Sequence, residues 1–126
     1  MESNKTVIIV GGVAGGASCA TRLRRQDEYI RIILLEKGPY VSFANCGLPY
    51  YIGGVIEEEG NLLVADVDLF RDRFNVDARV NEEVISIDRN NKTVSIRRLA
   101  DGQTYMERYD TLVLSPGAKP IRPQLP

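Results

Sequence analysis

Val7-Ile8-Ile9-Val10 is a wholly apolar, β-branched run, and Ile32-Ile33-Leu34-Leu35 between Arg31 and Glu36 is another. Runs with no polar face suit strands buried on both sides of a parallel sheet. Between them, Gly11 to Gly16 makes a glycine-rich turn. Ala17 to about Asp27 then reads as a helix, small residues first. A strand, turn, helix and strand within about 30 residues have the size of a βαβ unit.

The pattern then changes. Gly38 to Gly54 is broken up by Pro39, Gly47, Pro49, Gly53 and Gly54. Val67 to Phe74 predicts a short helix with Asp66 as its N-cap, and Asn75 to Val80 a strand. Three alternating stretches follow, Glu83 to Asp88, Lys92 to Leu99 and Gln103 to Arg108. Turn residues at Arg89-Asn90-Asn91 and Ala100-Asp101-Gly102 join them, so they predict an antiparallel three-stranded meander. Thr111-Leu112-Val113-Leu114 is a further buried strand that runs into Ser115-Pro116-Gly117-Ala118. The fold class is α/β. The parallel sheet is expected in the order 75–80, 31–35, 7–10, 111–115, with the meander as a crossover and an unpaired edge at 111–115. Residues 1–118 form one segment, and 119–126, with three prolines, reads as an exit linker.

The length of 126 residues fits one domain, and 44% hydrophobic with 26% charged residues is ordinary for a soluble globular chain. A net charge of −1 points to neither nucleic acid nor an anionic membrane. The apolar run near the N-terminus ends at Gly11-Gly12, too short for a signal-peptide core or a membrane span, so a cytoplasmic location is expected. Two cysteines, Cys19 and Cys46, do not make a disulfide scaffold. With no histidine in the chain, the usual zinc and Ser-His arrangements fall away, and no metal is expected. Chemistry here must come from a thiol, a bound cofactor or groups outside this chain.

The dinucleotide fingerprint asks for strand, G-x-G-x-x-G, helix, then an acid about 20 residues on. Gly11 and Gly16 hold the first and third glycine positions, and Val13 holds the second. Glu36 closes the second strand at the demanded distance. The helix N-terminus offers N–H groups and positive dipole to a pyrophosphate. Glu36 suits the two hydroxyls of a ribose and repels a 2′-phosphate. FAD and NAD both fit, NADP poorly, and the turn by itself does not choose between the first two.

Ser42-Phe43-Ala44-Asn45-Cys46-Gly47-Leu48-Pro49-Tyr50-Tyr51-Ile52-Gly53-Gly54 resembles the active-site segment of coenzyme A-disulfide reductases and CoA persulfide/polysulfide reductases. These are branches of the pyridine nucleotide-disulfide oxidoreductases. The turn Val10 to Gly16 is similar to that subfamily's variant loop, and Ser115 to Ala118 to the family's second FAD-contact turn. The resemblance implies a Rossmann-like, partial FAD/NAD(P)-binding domain carrying a redox-active Cys46. It implies FAD contacts at Gly11, Val13, Ala14, Gly15, Gly16, Glu36, Lys37, Val80, Ser115 and Gly117. It implies a CoA site at Ser18, Arg22, Arg25, Ser42 and Asn45. NAD(P)H would bind a second domain beyond this chain, the FAD domain would be completed further on, and the full-length protein would be a homodimer.

The physics of the segment agrees. A helix starting near Asn45 would set Cys46 at its positive end and favour thiolate. Where dithiol reductases carry a second cysteine, this chain has Tyr51, so the thiol must pair with an outside sulfur or become a sulfenic acid. The first describes disulfide or persulfide reductases, the second NADH oxidases and peroxidases; a non-catalytic flavin-binding or thiol-sensing module is a third reading. Ser18, Arg22 and Arg25 recur on one helix face, with Gly16, Ala20 and Leu23 toward the sheet. Two guanidinium groups suit a ligand rich in phosphate, and equally suit a solvated face at a helix C-terminus. Cys19, in the first helix, reads as a small packing residue.

Overall fold

The computed structural model describes residues 5–42, 48–58, 60, 66–119 and 121–125. Strand β1 (Thr6–Val10), helix α1 (Ala14–Gln26) and strand β2 (Arg31–Glu36) form the βαβ unit. Helix α1 starts three residues before the position read from the sequence. Its first turn contains Gly15 and Gly16, residues whose low helix propensity hides them from a pattern search. Helix α2 spans Leu48–Ile52, and α3 Val67–Phe74. The Asp66 side chain caps α3 by accepting from the Leu69 N–H at 2.8 Å. Asn75, left-handed at φ 49°, closes it.

Strand β3 (Asp77–Val80) begins two residues later than the sequence suggested, because Asn75 and Val76 complete the α3 C-terminus: both N–H groups bond back to the last turn. Strands β4 (Glu82–Asp88), β5 (Thr93–Arg98) and β6 (Thr104–Arg108) make the antiparallel meander, and β7 (Thr111–Leu114) returns to the main sheet. The parallel order is β3-β2-β1-β7, with the meander as a separate sheet β4-β5-β6.

The apolar runs are explained by what covers each face. Ile9, Ile32 and Leu34 pack with Ala17 and Ala20 of α1 and Phe70 of α3. Ile8, Ile33 and Leu35 pack on the other face against Val94 and Ile96 of the meander. All six strand residues are essentially inaccessible, and each contributes on the order of 1.5–3 kcal/mol through burial. The chain is a Rossmann-like α/β fold, and the C-terminal ends of β1, β2, β3 and β7 converge on the glycine turn.

Candidate nucleotide site

The turn between β1 and α1 is held by contacts that leave no room for side chains at two places. Gly11 has φ +98°, and a Cβ there would lie 1.9 Å from the Ser115 carbonyl oxygen. A Cβ on Gly16 would lie 1.7 Å from the Gly11 carbonyl oxygen. Val13 has φ −87°, a value any residue adopts, so a side chain is tolerated where the usual motif has glycine. Ser115 clasps the turn to β7. Its N–H donates to the Val10 carbonyl at 2.8 Å, and its hydroxyl lies 3.0 Å from the same oxygen and 3.2 Å from that of Gly11. Gly117, at φ +76°, lets the chain turn away after β7.

Helix α1 has no side-chain N-cap and no acid in its first turn. Ala14 and Gly15 are exposed there, so the start of the helix presents N–H groups and positive dipole to an incoming anion. Glu36, at the end of β2, accepts from Gly12 N–H at 2.9 Å with Oε1 and from Gly38 N–H at 2.7 Å with Oε2. The carboxylate therefore first fastens two turns. A carboxylate has about four acceptor sites, which leaves capacity on both oxygens for ribose hydroxyls. Val80 lies beside Glu36 in the β2–β3 ladder. A cavity of about 170 Å³ opens at these strand ends. Val10, Leu35, Val84 and Pro116 give it apolar walls, and Glu36, Lys37, Glu82 and Glu83 a charged rim.

The proposed CoA residues fall into two groups. Ser18, Arg22 and Arg25 are exposed along one face of α1, while Gly16 and Ala20 are buried toward the sheet. Ser42, left-handed at φ 53°, donates its N–H to the Gly12 carbonyl at 2.7 Å, which joins that segment to the glycine turn. Asn45 and Cys46 lie outside the described residues, as does the expected helix start near Asn45. Tyr50, Ile52 and Val55, in and just after α2, are exposed. Cys19 is a half-buried free thiol packed against the α1-side core, in keeping with a packing role.

Sequence patterns missed two clusters. Arg24 donates to the carbonyls of Phe74 at 2.7 Å, Asn75 at 3.0 Å and Asp27 at 3.2 Å, clamping the end of α1 to the end of α3. Its partial burial lowers its pKa. Arg79 joins Asp77, Glu107 and Tyr105, and Tyr105 in turn donates to Glu82. Burial and the Glu82 carboxylate push the Tyr105 hydroxyl up to about 12. No local pattern links these residues, which meet only when the meander folds onto the sheet. Among the described residues no cluster of acids and cysteines is placed to hold a metal ion, and no helix is long and apolar enough to cross a membrane.

The same arrangement recurs in known proteins. A coenzyme A disulfide reductase of Staphylococcus epidermidis is 47% identical over 116 residues, 92% of this chain and 26% of that protein. The crystal structure of reduced Bacillus anthracis CoADR-RHD superposes with a TM-score of 0.94 at 55% identity, over 98% of this chain and 22% of that one. An NAD-dependent persulfide reductase from A. fulgidus gives 0.89 at 40% identity, over 95% and 22%. The chain thus spans about a quarter of the length of the curated relatives it matches. The family model for pyridine nucleotide-disulphide oxidoreductase matches residues 5–126. With its glycine turn, its strand-end acid and this match along nearly its whole length, the chain belongs to the pyridine nucleotide-disulphide oxidoreductase family.

Proposed function

We propose that this chain is the FAD-binding front part of an NAD(P)H-dependent enzyme that reduces coenzyme A disulfide, or a CoA persulfide or polysulfide, through the single cysteine Cys46. The observation that carries this reading is the 47% identity to a coenzyme A disulfide reductase across 92% of the chain. The geometry of the turn supports the cofactor: the uncapped N–H groups of α1 suit a diphosphate, and the cavity beside Glu36 suits an adenosine end. Gly11, Val13, Ala14, Gly15 and Gly16 would hold the diphosphate, Glu36, Lys37 and Val80 the adenosine. Ser115 and Gly117 shape the far side of the turn.

Bound FAD supplies two-electron transfer from NAD(P)H to sulfur. The Cys46 thiolate attacks one sulfur of CoA disulfide, forming a mixed disulfide and releasing one CoA thiolate. Two electrons then cleave that bond, returning the Cys46 thiolate and the second CoA thiolate. Ser18, Arg22, Arg25, Ser42 and Asn45 receive CoA, the guanidinium groups matching its phosphates. Residues 1–118 belong to the FAD domain and 119–126 lead toward an NAD(P)H domain, with the full protein a cytoplasmic homodimer.

In the full-length protein, Cys46→Ser should lower NAD(P)H oxidation dependent on CoA disulfide by on the order of a thousandfold while flavin stays bound. Equal turnover by the variant would sink the cysteine mechanism. Oxygen or peroxide consumption far above CoA disulfide reduction would shift the reading to an NADH oxidase or peroxidase.

A further inference from the structure

Glu82 reaches the nucleotide cavity by a short, pinned route. Val80 is the ladder partner of Glu36, and one residue, Asn81, joins β3 to β4. Asn81 is left-handed at φ 56°. Its N–H donates to the Gly38 carbonyl at 3.0 Å, and its carbonyl accepts from Leu99 N–H at 2.9 Å. The corner therefore brings Glu82 onto the same cavity as Glu36.

A network holds its carboxylate from a neighbouring hollow, which Glu82 lines together with Arg79, Arg98 and Tyr105. The Tyr105 hydroxyl donates to Glu82 Oε2 at 2.7 Å and accepts from Arg79 at 2.9 Å. The Arg79 charge is already shared between Asp77 at 2.6 Å and Glu107 at 3.1 Å. The hydrogen-bond donor that Glu82 receives is thus a neutral hydroxyl rather than a cation. Glu36, Glu82 and Glu83 line the cavity with one ammonium, Lys37, while Arg98, opposite Glu82 across the β4–β5 ladder, bonds Gln103 at 3.0 Å and pairs with Asp101. A ribose phosphate, carrying about −1.5 to −2 charges, would meet net repulsion in that rim.

We propose that Glu82 is a specificity-determining residue of the nucleotide site, aimed by the positioning residue Tyr105, and that with Glu36 it selects an adenosine end free of ribose phosphate. This rests on the proposed binding of FAD at the same turn. The test uses the full-length protein stripped of flavin. It is titrated with FAD and followed by flavin fluorescence, with ADP-ribose or 2′-phospho-ADP-ribose as competitor. Competition against FAD reports on this site and not on an NAD(P)H site elsewhere.

The unmodified protein should prefer ADP-ribose. Glu82→Gln should narrow that preference by about fivefold to tenfold while changing ADP-ribose affinity little. Tyr105→Phe should narrow it in the same direction by less, a change of ratio that simple loosening of the fold would not produce. A preference unchanged in Glu82→Gln would overturn the role of Glu82 and leave FAD binding intact. Failure of the unmodified apoprotein to bind FAD would overturn the nucleotide reading together with it.

Discussion

At Gly16 an added methyl group would sit 1.7 Å from the Gly11 carbonyl oxygen, whereas at Gly15 it would rest 3.6 Å from the Ser115 Cβ. The first is an impossible contact with backbone, the second an ordinary one. Gly16→Ala should therefore destabilise the protein by about 1–3 kcal/mol through overpacking and weaken flavin retention. Gly15→Ala should leave thermal unfolding nearly unchanged. Paired melting curves check this, and matching losses in both variants would remove the steric explanation. The spacing of Gly11, Gly16 and Glu36 is legible in the sequence because the turn is local and the acid lies at a fixed distance along the chain. Glu82 and Tyr105 are not legible: 23 residues separate them, and their contact depends on how the meander lies.

Among the elements, α3 shows how much a local signal settles and where it stops. Its limits, Val67–Phe74, and its Asp66 cap follow from sequence alone. Its anchoring does not. Arg24 reaches across from α1 to the two carbonyls at the end of α3, groups that a helix leaves without internal partners. Arg24→Ala should cost about 1–2 kcal/mol, and Arg24→Lys should restore only part, since an ammonium lacks the planar fork. Urea midpoints measure the loss, with faster amide exchange at the end of α3 as its local signature. A variant as stable as the parent would show that the clamp carries no net energy. Strand limits in the meander were legible to within a residue, because alternation and turn residues coincide there.

At the scale of the whole molecule, the parallel sheet has two edge strands among the described residues, β3 and β7. The β3 edge is short and carries Asp77 and Arg79, features that discourage pairing. β7 ends on Leu114, 59% exposed, and pairs only with β1 among the described strands. The 126-residue chain expressed alone should therefore self-associate, and Leu114→Lys should reduce the association. Light scattering reports the size; a monomer at tens of micromolar, with flavin held stoichiometrically, would refute the open-edge reading.

By itself the sequence determined the apolar strands, the meander, the glycine turn and the acid that faces it. Each of these is written in short-range periodicity or fixed spacing, which survives without knowledge of the rest of the chain. The tertiary structure decided how those parts are spent. It put both Glu36 oxygens on backbone N–H groups, turned Ser115 into a clasp on the glycine turn, and set Arg24 against a helix end. It also brought Glu82, backed by Tyr105, to the cavity beside the glycine turn. Those partners lie far apart along the chain, and only packing of the helices and the meander on opposite faces of one sheet brings them within bonding distance.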